Sequence, residues 1–398
     1  MELGKVFWIA TAVKIFAIVF GLVNLGALLL WVERRQSALM QDRMGPNRAA
    51  LRLFGREFRV AGLLHTAADG LKMLFKEDFV PPKADKLLYH LAPLVALIPP
   101  LSLFAVIPFG PTLYWENRGR VFGATEEVLN SDAFSRFRDQ WQAWDANVLG
   151  IPLQIGTADS GILMIFAMAS AGVLGAALAG FSSDNKFSLM GGLRAASQMV
   201  SYEVAMGLSL VGAFMVYQSV RLEDMVTWQV HHVWGIFAQP LAFVLFFTAA
   251  VAETKRIPFD APEGESEIVA GYFTEYQVMK MGMFALGELV EVMTSSAILV
   301  TIFLGGWQVP FVNDTGLHFH YFGIDIDSYW PHLRVVIASA VAFVVKVGLV
   351  VLLQMTIRWT LPRFRYDQIM RLGWRVLLPA SLLNILVTGA ALTVLNQK

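Results

Sequence analysis

The chain has 398 residues, of which 56% are hydrophobic and 16% charged, against about 45–50% apolar and 25% charged in ordinary soluble domains. Lys plus Arg and Asp plus Glu number 31 each, so there is no basic excess to hold nucleic acid and no acidic excess of the kind that keeps a chain disordered. The lack of cysteine excludes disulfides, thiolate zinc sites, a catalytic thiol and any iron–sulfur cluster held by this chain's own thiolates.

Crossing the hydrocarbon core takes about 20 mostly apolar residues in a helix, and runs of that kind predict eight spans. The first, at 6–32, is too long for a signal-peptide core and has no convincing small-residue cleavage site, so it is read as retained. In the loop that follows, Leu63, Leu64, Ala67, Ala68, Leu71, Leu74 and Phe75 alternate helically with Asp69, Lys72 and Lys76, which predicts a helix lying in the membrane interface. The second span is expected at 87–110. The segment 111–158 has soluble composition, and Phe134, Phe137, Trp141, Trp144 and Val148 predict an amphipathic helix there, on the membrane surface or against a partner. The remaining spans are expected at 159–181, 195–218, 234–252, 278–304, 331–357 and 373–394, with Ala171, Gly175, Ala176 and Gly180 suited to close helix packing.

The loops at 33–86, 182–194, 253–277 and 358–375 carry 20 of the 31 basic residues, which assigns them to the cytoplasm and both termini to the outer face. The expected fold is an all-α polytopic membrane protein, one integral domain over 1–398. It has about eight spans, an interfacial helix, a folded acidic cytoplasmic loop and an extended outer insertion at 111–158.

An ionisable group inside a span costs roughly 2.5–3.5 kcal/mol on insertion scales, so each needs a reason. Glu203 is expected about two turns into the fourth span, beside Tyr202, and Glu288 and Glu291 lie three apart on one face of the sixth. Two readings stand. These carboxylates form a proton path, or they pair statically with the in-span Lys14, Lys280 or Lys346, with Glu291 near enough to the outer face to be wet.

The loop at 253–277 sets six carboxylates, Glu253, Asp260, Glu263, Glu265, Glu267 and Glu275, against Lys255 and Arg256. Pro258, Pro262 and Gly264 forbid a continuous helix, and an extended stretch would direct Glu263, Glu265 and Glu267 to one side. Aromatic and apolar residues threaded through it, among them Phe259, Tyr272 and Tyr276, argue for a folded and partly buried loop over a solvated one. No P-loop or GxGxxG occurs, so nucleotide binding is not expected. The histidines are scattered, with His90 and His332 near span ends, and no metal or haem is assigned.

Several ordered segments carry a family resemblance. They are Glu33, Arg34, Arg35 with Gln41, Arg43, Gly45, Pro46, Asn47 and Arg48; Ala68, Asp69, Lys72, Lys76 and Glu77; the stretch 179–205; the acidic loop with its flanks at 252–277; and 358–374. Together they resemble the H-type membrane subunits of proton-pumping NADH:quinone oxidoreductase, respiratory complex I. Membrane subunits of energy-converting hydrogenases share the front motif and topology. Their acidic loop begins with a different, DDP-type pattern, whereas this chain has Pro258, Phe259, Asp260, Ala261, Pro262 and Glu263.

The resemblance implies a subunit at the junction of redox arm and membrane arm, supplying the membrane part of the quinone-access tunnel. It implies that Arg34, Arg43, Asp69, Arg194, Arg256 and Arg358 are tunnel or junction residues. It implies too that Glu203, Glu253, Asp260, Glu263, Glu265, Glu267 and Glu288 lead protons from the quinone cavity into the membrane. Quinone is then the substrate and no side chain of this chain does redox chemistry. Iron–sulfur clusters and FMN belong to redox-arm partners, small and antiporter-like membrane subunits are neighbours, and the setting is a bacterial inner membrane. Two departures stand out: Lys255, where the family commonly has asparagine, and the length of 111–158. The alternative from another class, a stand-alone ion transporter, would more often carry an inverted repeat, and none is visible in the sequence.

Overall fold

The computed structural model describes residues 3–53, 56–116, 148–264, 271–313, 316–321 and 324–396. Its scaffold is helical: α1 (Leu3–Met40), α2 (Leu64–Phe75), α3 (Lys86–Leu103), α4 (Gly161–Ser182), α5 (Lys186–Tyr217), α6 (Leu222–His231), α7 (Pro240–Glu253), α8 (Val278–Phe303), α9 (His332–Thr360), α10 (Tyr366–Leu372) and α11 (Leu378–Asn396). A π-helical turn at Gly373–Leu377 joins the last two into one span. Three small antiparallel sheets decorate the loops, pairing 51–53 with 56–58, 113–116 with 148–151, and 312–313 with 316–321 and 324–329.

Among the described residues, seven helices are long and apolar enough to cross a membrane. The expected span at 234–252 is broken into a single turn, Gly235–Ala238, and the 14-residue α7. The cause is local: Pro240 has no N–H to extend a helix behind it and opens α7 instead, while Gln239 sits outside helical backbone space at φ −139° and ψ 61°. Two boundaries also differ from expectation. Nothing from Glu33 to Met40 breaks a helix, so α1 runs on past the first charged cluster. Asn185 caps α5 by accepting from the Phe187 N–H, so that helix starts before 195 and Glu203 lies at its middle, not two turns in. Val148 pairs with Glu116 in a hairpin and is not helical. Phe134, Phe137, Trp141 and Trp144 lie outside the described residues.

At the centre stands α8, with 83% of its apolar window buried, packed by α3, α9, α1 and α7. Its fully buried Leu289, Val290, Val292, Ala297 and Val300 explain why this helix can carry carboxylates, since it faces protein and not lipid. Backbone approach is closest where small residues permit it. A Cβ at Gly175 would lie 2.6 Å from the Ala96 nitrogen of α3, and one at Gly191 of α5 would lie 2.6 Å from the Tyr272 nitrogen in the acidic loop. Gly191→Val must therefore push that loop off α5, an overpacking that costs about 1–3 kcal/mol. The expected result is a lower unfolding midpoint of the purified detergent-solubilised complex, and an unchanged midpoint would contradict the contact. No residue of α2 is buried, and its Leu71, Leu74 and Phe75 are exposed, as a helix lying against lipid or a partner requires.

Candidate functional site

Where α1, α2, α8 and α9 meet the loop after α7, a cavity of about 580 Å³ opens. Leu30, Glu33, Arg34 and Ser37 fall on one side of α1, and Ala285, Glu288 and Leu289 on one side of α8, because residues three and four apart share a helix face. Arg256 and Arg358 approach from the loop and from the end of α9. Their meeting point is Glu33, which is buried: its Oε2 lies 3.4 Å from Arg256 Nη1, and its Oε1 accepts from Arg358 Nη1. One carboxylate against two guanidiniums leaves a positive excess in the wall. Arg43 also lines the cavity and donates to Gln41 and to the Ser37 hydroxyl, at 2.7 and 3.2 Å. Arg34 pairs with Asp69 at 2.7 Å, but both side chains are more than 40% exposed, so the pair contributes at most about 1 kcal/mol and serves to orient. The volume, the apolar helix walls and a few convergent charges have the character of a small-molecule site.

A second, narrower cavity of about 50 Å³ lies deeper, among α3, α4, α5, α7 and α8. Its polar lining includes Glu253, Lys255, Tyr272, Glu288 and Glu291, and it is large enough to admit water. Glu288 belongs to the walls of both cavities. Its Oε1 accepts a 2.9 Å hydrogen bond from the Tyr272 hydroxyl. In the loop, burial first, then the Glu288 and Asp260 carboxylates, push the Glu263 carboxyl well above the usual carboxylate range. Burial alone would favour neutral Lys255, but the Glu291 and Glu288 carboxylates outweigh it and hold the amine protonated.

The other expected residues are distributed around this pair of cavities. Glu253 ends α7, buried in the inner one. Glu203 lines neither; it accepts from the Ser170 hydroxyl and lies within electrostatic reach of Glu253. Asp260 sits 3.8 Å from Arg363, whose guanidinium also donates to the Asp260 carbonyl. Arg194 stacks its guanidinium over Tyr366 at 5.8 Å, away from both linings. Glu265 and Glu267 lie outside the described residues.

The expected pairing of Lys14, Lys280 or Lys346 with the in-span carboxylates is not found among the described residues. Lys14 donates to the carbonyls of Pro152 and Gln154, Lys346 to those of Leu304, Gly306 and Gln308, and Lys280 pairs with Asp78 at 2.7 Å. None of the three pairs with Glu203, Glu288 or Glu291. Glu291 is not wet: it is largely buried and its Oε2 lies 3.4 Å from Lys255 Nζ. Sequence reasoning missed the counter-ion role of Glu33, the Tyr272 bond and His65, which also lines the outer cavity. Glu33 had one usable signal, the unbroken helical run to Met40 that puts it in register with Ser37.

Comparison with known proteins places the chain in a family. The NADH dehydrogenase family model matches residues 13–389. The second of the H-type NADH-quinone oxidoreductase subunits of Geobacter metallireducens is 39% identical over 389 residues, covering 98% of this chain and 97% of the relative. The H-type relative from Flavobacterium psychrophilum is 40% identical over 391 residues, covering 98% and 99%, and that from Bdellovibrio bacteriovorus 36% over 407 residues, covering 98% of each. The chain belongs to the family of H-type NADH-quinone oxidoreductase subunits, the membrane components of that enzyme complex.

Proposed function

We propose that the outer cavity is the membrane section of the quinone-access route and that the inner cavity begins the proton path out of it. The observation that carries this reading is the position of Glu288 on both walls. The apolar faces of α1 and α8 suit a lipid-soluble ring and tail entering beside α2, and the arginine rim favours negative charge developing on a quinone as it is reduced. Reduction to quinol takes two electrons and two protons. The electrons come from iron–sulfur and flavin groups of redox-arm partners that dock on the cytoplasmic loops. In a low-dielectric cavity the new charge is weakly screened, so Glu288 and Glu263 respond by changing proton occupancy. Glu253, Glu203 and the acidic loop then pass the change toward neighbouring membrane subunits. The loop, broken by Pro258, Pro262 and Gly264 between two rigid helices, is the element able to rearrange with that charge. The excess of Lys and Arg in the loops at 33–86, 182–194, 253–277 and 358–375 supports a cytoplasmic position for this face in a bacterial inner membrane, with both termini outside when the Gly235–Ala238 turn and α7 together make the eighth crossing.

A photoreactive quinone analogue applied to the purified complex tests the route. Labelling of this chain is expected within 30–37 of α1 and 285–289 of α8, suppressed by excess unlabelled quinone. Competed labelling confined to other helices of this chain would overturn it.

A further inference from the structure

We propose that Lys255 and Glu291 act as a buried charge pair that sets the proton affinity of the carboxylates in the inner cavity, making Lys255 a positioning residue of the proton path. The inference rests on the relay reading above and goes beyond it, since neither residue is among the carboxylates and arginines that the resemblance assigns.

Geometry singles the pair out. Lys255 Nζ and Glu291 Oε2 are 3.4 Å apart, with side chains 7% and 16% exposed. Both line the inner cavity together with Glu253, Glu288 and Tyr272. Removing two charges from water costs more than a surface pair returns, and a well-packed apolar pair of the same size would often be as stable. Stability alone is therefore a poor reason for the pair to be here.

The backbone argues the same way. Lys255 occupies the left-handed region at φ +55°, which a long side chain adopts at a cost and which glycine or asparagine accepts more readily. The residue with the less suitable backbone preference is the one that brings a cation. That cation faces carboxylates on every packed element: Glu253 at the end of α7, Glu263 in the loop, and Glu288 and Glu291 on α8, with Glu203 of α5 acting through Glu253. The other cations nearby, Arg256 and Arg358, are engaged by Glu33. Among the described residues lining the inner cavity, the one cation is thus Lys255.

The sign of each substitution follows. Lys255→Asn withdraws a positive charge from beside the relay carboxylates, so they keep their protons to higher pH. Glu291→Gln withdraws a negative charge and the carboxylate paired with Lys255, so the remaining carboxylates release protons at lower pH. The double change removes a neutral pair and leaves the field nearly as it was. The experiment is the pH profile of NADH:quinone turnover in membranes containing the full complex. The acid limb is expected to move up by about one pH unit in Lys255→Asn and down by a similar amount in Glu291→Gln, the lower end of what a charge within 4–6 Å does. The double variant is expected to return toward the wild-type profile. A pair that only holds the fold would lower assembly or turnover without moving the limb. If one single variant fails to assemble, the direction of the other decides. Shifts of the same sign, or limbs that coincide with wild type, would overturn the proposal. Proton pumping in a Glu288→Gln variant reports on the relay separately: lost pumping there with unmoved limbs here refutes the role of the pair alone.

Discussion

Replacing Glu288 with glutamine is expected to lower NADH:quinone turnover about 100-fold, the low end of what one positioned proton-transfer group contributes, and to abolish proton pumping. The residue is the common wall of the two cavities and is held by the Tyr272 hydroxyl at 2.9 Å. Glutamine keeps the volume and can still accept that hydrogen bond, so folding is preserved while the ability to take up and release a proton is lost. The measurement is turnover and pumping in membranes, normalised to the amount of assembled complex. Glu288→Asp should recover part of both, because the carboxyl remains but is drawn back by one methylene. Wild-type turnover with wild-type pumping in Glu288→Gln would remove Glu288 from the proton path.

The largest effect on stability is expected at Glu33. Glu33→Ala leaves Arg256 and Arg358 facing each other in the cavity wall without their shared carboxylate. Breaking a buried pair by deleting one partner costs up to about 3–5 kcal/mol, an upper bound here because both arginines border the open cavity and Arg358 is 26% exposed. The amount of assembled complex recovered from membranes should fall steeply, together with its unfolding midpoint. Glu33→Ala combined with Arg358→Ala should recover part of the loss, since a single arginine then remains. If Glu33→Ala assembles and melts like wild type, the ion network contributes nothing to the fold.

Much of this was legible because a bilayer constrains sequence more tightly than water does. Runs of apolar residues located seven long helices, and the alternation over 63–75 located α2. What periodicity could not show was where chemistry interrupts it. Pro240 inside an apolar run shortened one span, and a charged but helix-compatible stretch after 32 lengthened another. For the candidate site, residue types in the acidic loop pointed to a segment that lines the inner cavity, yet pairing was invisible. The lysines within spans looked like natural partners for Glu203, Glu288 and Glu291, but Lys14 and Lys346 reach backbone carbonyls left open at turns and helix ends. Such carbonyls are strong acceptors that need a donor when buried, and no pattern of side chains announces them. The true partner of Glu291 was Lys255, 36 residues away across a loop whose backbone path depends on tertiary packing.

The Glu33 network also dictates an order of events during synthesis. Arg256 follows Glu33 by 223 residues and Arg358 by 325. At translation rates of about 5–20 residues per second, the last partner is made roughly 16–65 s after the first helix emerges. Until then Glu33 waits about two turns before the end of α1 beside Arg34 and Arg35, on what the proposed topology makes the ribosome's side of the bilayer. The first helix can therefore enter the membrane early, but the cavity it borders closes only once synthesis reaches Arg358 at the end of α9. A nascent chain truncated before that point would hold α1 to α8 and lack the completed ion network around Glu33.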